Sequence, residues 1–118
     1  MERGKKKYKI YSKERIKKRN DILPFFNKNN NAIIYSNYFY TIFVLENNRS
    51  YSRFAVSIKK NKAKAVYRNK AKRIVREIYR TEKENIKIGY DYFIVINRYI
   101  SRSFEDWKKD LIKLFQRV

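Results

Sequence analysis

The chain of 118 residues holds 31 Lys and Arg against 11 Asp and Glu, a net charge of +20, with 43% hydrophobic and 17% aromatic residues. This length and apolar content suit one folded domain with one core rather than a disordered tail. There is neither Cys nor His, which excludes a disulfide scaffold, thiolate zinc sites and imidazole acid–base chemistry.

Residues 1–9, with the Lys5-Lys6-Lys7 run, read as a flexible basic arm. No apolar stretch follows them as in a secretion signal, and no stretch reaches the length of a membrane span. The protein is therefore expected in the cytoplasm. Ser12 is placed to cap a first helix running to about Arg19, and Asp21 to cap a second turn with Pro24 near its start. Ile16, Ile22, Leu23, Phe25 and Phe26 supply the apolar side of this segment. Residues 27–31, NKNNN, close it as a polar loop.

Residues 33–35 predict a short strand and residues 38–45, YFYTIFVL, a longer one. Alternation puts Tyr38, Tyr40, Ile42 and Val44 on one face and Phe39, Thr41, Phe43 and Leu45 on the other. Residues 46–50 read as a hairpin loop, and residues 53–58 as the returning strand.

Residues 59–80, KKNKAKAVYRNKAKRIVREIYR, pack ten Lys and Arg against one acid, Glu77. They are nevertheless patterned. Tyr67, Ala71, Ile74 and Ile78 recur at the spacing of one helix face, which predicts a helix over about 64–81. Arg68, Lys72 and Arg76 form a row on a neighbouring face, with Arg73 and Arg80 beyond. Such a cluster repels itself unless something anionic lies opposite, and a polyphosphate chain is the simplest partner.

Residues 91–97, DYFIVIN, are apolar almost throughout, as in a strand covered on both faces. Ser103 and Asp106 make a capping pair for a last helix, whose stripe is Phe104, Trp107, Leu111, Leu114, Phe115 and Val118. The chain thus reads as one α+β domain over residues 1–118, a small mixed sheet of three or four strands packed in two layers with about three helices. The acids form no convergent, buried pair, so no residue is assigned a catalytic role and no metal site is built by the protein.

The segment FAVSIKKNKAKAVYRNKAKRIVREIYR resembles the signature of the bacterial ribonuclease P protein subunit. Arg68, Asn69, Lys72, Arg73 and Arg76 match its basic helix in order, and DYFIVINR with SFEDWKKDLIKLF is similar to its last strand and helix. Lys70 stands where the family has a second Arg, Ala63 and Lys64 replace a Gly-Asn turn, and Ile22 takes a position often aromatic. The resemblance implies an accessory protein of a ribozyme, inactive alone, whose RNA removes the 5′ leader of precursor tRNA with Mg²⁺ held mainly by RNA and substrate. It implies a left-handed crossover around the basic helix and a central cleft for the leader, with one protein per RNA and neither a membrane nor a small molecule as partner. On this reading Lys64, Arg68, Asn69, Lys70, Lys72, Arg73 and Arg76 meet the catalytic RNA. Phe26, Tyr38, Tyr40, Ser57, Lys59 and Lys60 line the leader cleft, where rings suit single strands because every base has a π-face. A ribosomal protein or RNA chaperone is the alternative that composition alone leaves open.

Overall fold

In the computed structural model, which describes residues 10–118, the apolar run Tyr90–Ile96 is an inner strand of a four-stranded sheet. The strands are β1 (Ile33–Ser36), β2 (Tyr40–Glu46), β3 (Arg53–Ile58) and β4 (Tyr90–Ile96), in the order β1-β2-β4-β3. β4 runs antiparallel to β2 and parallel to β3. With neighbours on both edges and side chains packed on both faces, β4 has little use for polar residues. The helices are α1 (Arg19–Ile22), α2 (Ala65–Thr81) and α3 (Phe104–Phe115), giving the mixed sheet and three helices expected of the α+β domain. The arm over residues 1–9 lies outside the described residues. Among those described, no helix is long and apolar enough to cross a membrane.

The hairpin expected over residues 46–50 does not form. β4 occupies the edge of β2 that a hairpin partner would take, so the loop carries the chain past β4 and β3 pairs on its far side. Asn47 anchors this passage. Its Nδ2 donates to Asp91 Oδ1 at 2.8 Å and to the Tyr51 carbonyl at 3.2 Å, and its backbone N–H donates to the Gly89 carbonyl at 3.0 Å. Gly89 has φ +89°, a conformation that residues with a Cβ rarely adopt. Asp91 is buried and also accepts from Arg53 Nε at 2.9 Å. That hydrogen bond, more than simple charge attraction, holds the Arg53 pKa above its ordinary value.

The first helix is also shorter than expected. Ser12–Glu14 is one 3-10 turn, Arg15 is extended and bridges to Phe54, and the Ile16 N–H donates to the Phe54 carbonyl at 2.8 Å. β3 is an edge strand, and its unpaired backbone groups compete for this segment more strongly than an uncapped helix holds it. Ser12 lies inside the turn instead of capping it. Glu14 accepts from the Tyr11 N–H at 3.3 Å and, buried, pairs with Lys83 at 2.9 Å. Asp21 likewise sits within α1, whose N-cap is Lys18.

α2 and α3 cover one face of the sheet. Ala71, Val75, Ile78 and Tyr79 of α2 and Trp107, Leu111, Leu114 and Phe115 of α3 pack on Tyr40, Ile42, Tyr92 and Ile94. Val75 and Tyr79 extend the stripe read from sequence, whereas Tyr67 at its upper end is half exposed. The Phe54 and Tyr79 rings stack with centroids 4.0 Å apart. Ser103 caps α3, its Oγ accepting from the Asp106 N–H at 3.1 Å. On the opposite face a smaller cluster joins Ile16, Phe25, Ala55 and Phe93, covering only part of the sheet.

Tyr40 is fully buried, and its hydroxyl donates to the Trp107 carbonyl at 3.0 Å. Tyr40→Phe is expected to cost about 1 kcal/mol of stability and Tyr40→Ala about 3 kcal/mol or more, measured by urea unfolding. Burial pushes the phenols of Tyr40, Tyr79 and Tyr92 well above the ordinary tyrosine pKa. A raised pKa in the folded state means their contribution is complete below about pH 10 and is lost as pH climbs beyond it. Tyrosinate absorbance during alkaline titration should therefore show these rings ionising only as the folded circular dichroism signal disappears.

Candidate nucleic-acid interface

The basic helix presents its cations as the sequence spacing requires. With Ala71, Val75 and Ile78 turned to the core, Lys64, Asn69, Lys70 and Arg73 are exposed, and Lys72 and Arg76 are half-buried. No described acid pairs with Lys70, Lys72, Arg73 or Arg76. Glu77, the one acid of the segment, is taken by Arg80 at 3.1 Å from its Nε, and that bond lowers the Glu77 pKa. The other acids in ion pairs also lie elsewhere: Glu14 with Lys83, Asp91 with Arg53, Asp110 with Arg102 and Glu82 with Lys108. Burial lowers the Arg76 pKa, and the nearby charges of Arg15 and Arg73 lower it further. Three like charges are thus crowded together, an arrangement that an anion relieves.

Arg15 was not among the residues expected here. It comes from the segment paired along the edge of β3, and nothing in the local sequence reveals that pairing. Arg68 has a second task. Its Nη1 donates to the carbonyls of Lys60 at 3.1 Å and Ala63 at 2.7 Å, pinning the turn that enters α2. Ala63, where the resemblance calls for Gly, lies at φ −170°, extended backbone open to any residue. The turn therefore needs no glycine here. Lys64 at the N-cap makes no side-chain cap, because an ammonium cannot accept a hydrogen bond.

The second candidate surface is the sheet face away from α2 and α3. Strand register sets Ile34, Phe43, Phe93 and Ala55 in one row across it, and Ser36, Thr41, Val95 and Ser57 in the next. Phe26 is 56% exposed and stands over the first row, 5.2 Å from Phe43 and 5.9 Å from Phe93 between centroids. A groove of about 360 Å³ is lined by Phe25, Phe26 and Phe43 together with Lys28, Ala32 and Ile34. Thr41 Oγ1 lies 3.0 Å from Ser36 Oγ and donates to Asn97 Oδ1 at 3.1 Å, so the second row is polar. Ser57 belongs to this face, Lys59 is exposed just past the end of β3, and Lys60 lies in the turn that follows.

One ring assignment is corrected. Tyr40 has no exposed surface and faces the helices, so it offers no ring to a ligand. Tyr38 lies in the turn before β2 and is 67% exposed, with the Arg98 guanidinium 3.7 Å from its ring centroid on one side. On β2 it is Phe43 and Thr41 that stand on the groove face. The alternation already grouped these two residues; which face the helices would cover was the missing information.

Among the described residues, no three Asp or Glu side chains gather where they could hold one metal ion.

Comparison with known proteins gives one family. The chain matches the Ribonuclease P family model over residues 10–118. It is similar to the ribonuclease P protein component of Thermotoga petrophila, 33% identical over 111 residues and covering 90% of this chain and 92% of that one. The component from Clostridium botulinum is 36% identical over 86 residues, 71% of this chain and 78% of that one. Among solved structures, the RNase P protein from Thermotoga maritima aligns with a TM-score of 0.80 at 29% identity, over 89% of this chain and 97% of that one. The Staphylococcus aureus RNase P protein shares the fold, with a TM-score of 0.77 at 23% identity over 88% and 94% of the two chains.

Crowding on α2 has a measurable signature. Arg73→Ala should stabilise the free protein in low salt by ~0.3 kcal/mol, because it removes a like-charge neighbour of Arg76. The same variant should lose part of the rise in melting temperature that millimolar pyrophosphate gives the parent.

Proposed function

This chain belongs to the ribonuclease P protein family, and we propose that it works through two surfaces, one for the enzyme's RNA and one for the substrate's leader. As the protein component of that endoribonuclease, it has ribonuclease P RNA as its partner. The family decides against a ribosomal protein or an RNA chaperone.

The first surface is the outer side of α2. Arg73, Arg76, Lys72 and Lys70, joined by Arg15, neutralise phosphates of the folded RNA. Arg68 and Lys64 flank them at the helix start, and Asn69 supplies an amide for a base edge or a ribose. Each phosphate contact releases counterions, so affinity falls with salt. Lys70 contributes a point charge in place of a planar fork. The second surface is the groove lined by Phe43 and Phe26, where bases of the precursor tRNA leader stack. Thr41 and Ser57 offer hydroxyls in the next row, and Lys59 and Lys60 lie at the end of β3 where the two surfaces approach.

The observation that carries this reading is the row of unneutralised cations on α2 beside an aromatic groove across the same edge strand. Mg²⁺ in this scheme is held by the RNA and the substrate, consistent with the lack of a cluster of three acids among the described residues. The chain's own task is to bind and to orient. It positions the leader so that the scissile bond meets the RNA's catalytic centre.

Cleavage of precursor tRNA tests the scheme. The protein alone should leave the substrate intact. With the RNA subunit at low Mg²⁺ it should give one cut at the mature 5′ end. Arg73→Ala should weaken binding to the RNA and reduce its salt slope by about one. Phe26→Ala should spare that binding and reduce the preference for precursor over mature tRNA about ten-fold. An identical phenotype in the two variants would overturn the division into two surfaces.

A further inference from the structure

Three rings form a column leading from the core to the start of the basic helix. Trp107, on the buried side of α3, stacks on Tyr99 with centroids 5.8 Å apart and planes 16° apart. Tyr99 stacks in turn on Tyr67, at 5.7 Å and 24°. The column ends there, because Tyr67 is 46% exposed in the first turn of α2. Tyr99 lies along one of its faces, and close to half of the residue is open to solvent. Val66 beside it is exposed as well.

A tyrosine that serves only the core is buried, and one that serves only solubility has no fixed neighbour. Tyr67 is both fixed and open. Its orientation is set by Tyr99, and that of Tyr99 by a tryptophan with almost no freedom. A ring immobilised in advance loses little entropy when another plane settles on it. The surroundings decide which plane. Lys64 and Lys70 are exposed on the same stretch of helix, and Arg68 follows Tyr67 directly. A flat aromatic group carried on a chain of negative charge is a nucleobase in RNA.

We infer that Tyr67 is a stacking platform for one unpaired base of ribonuclease P RNA. This rests on the reading that α2 faces that RNA. It adds a contact of a different kind, in which a π-face supplements the phosphate contacts and their salt dependence.

The test uses the full chain and ribonuclease P RNA of the same organism, transcribed in vitro and titrated over a salt series. Tyr67→Leu keeps apolar bulk and loses the π-face. It should weaken binding about ten-fold with the salt slope unchanged, because no charge has been removed. Tyr67→Phe should bind like the parent. In Tyr67→Trp the added indole should be quenched by bound RNA beyond any change from Trp107 in the parent. Circular dichroism checks that each variant folds; should Tyr67→Leu not fold, the quenching in Tyr67→Trp decides. Parent-like affinity in a folded Tyr67→Leu, or no added quenching in Tyr67→Trp, overturns the inference. Failure of the wider reading looks different: the parent itself would not bind this RNA, or Arg73→Ala would leave the salt slope untouched.

Discussion

The placement of the few acids governs this molecule. A chain with a net charge of +20 could have scattered its carboxylates among its cations and neutralised each locally. Instead, Glu14, Asp91 and Asp110 are tied to Lys83, Arg53 and Arg102 at structural joints, and Glu77 is tied to Arg80 near the far end of α2. The middle of α2 is left with uncompensated charge. The helix holds this repulsion because Ala71, Val75, Ile78 and Tyr79 secure its other side to the sheet. The apolar stripe and the basic row are therefore one device, since without burial on one side the charges on the other would drive the segment apart.

β3 links the two surfaces. As an edge strand it has one paired side, toward β4, and the extended backbone of Arg15 and Ile16 occupies part of the other. Arg15 thereby joins the cations of α2 while Ile16 enters the small cluster on the groove face. Ala55 and Ser57 lie on the sheet face that carries the groove, and Phe54 and Ile58 on the face that packs in the helical core. A shift of this strand by one residue would exchange those faces and disturb both surfaces at once.

Much of this arrangement was legible from residue patterns. The span of the basic helix, the covered inner strand and the Ser103 cap follow from periodicity and local chemistry. What failed was information that belongs to pairs of distant segments. The residue 46–50 loop looks like a hairpin turn from its own composition; only the claim of β4 on the edge of β2 shows that it is a passage. Residues 12–19 look helical until the edge of β3 is present to pair with them. Tyr40 shows the same limit at the site. Alternation divided the residues of β2 into two correct sets, but a period of two does not say which set the helices will cover. The basic helix escaped this difficulty because charge itself marks the side that faces water.

The outer edge of β1 carries a separate consequence. Among the described residues β1 has only β2 as a strand neighbour, and Ile33 and Ile34 are exposed on it. An open strand edge with apolar side chains is a template for another copy of the same chain. β1 is short, at four residues, and copies that share a large positive charge repel one another before their edges meet. Colloidal behaviour is thus coupled to ionic strength: the salt that calms repulsion inside one molecule also lowers the barrier between molecules.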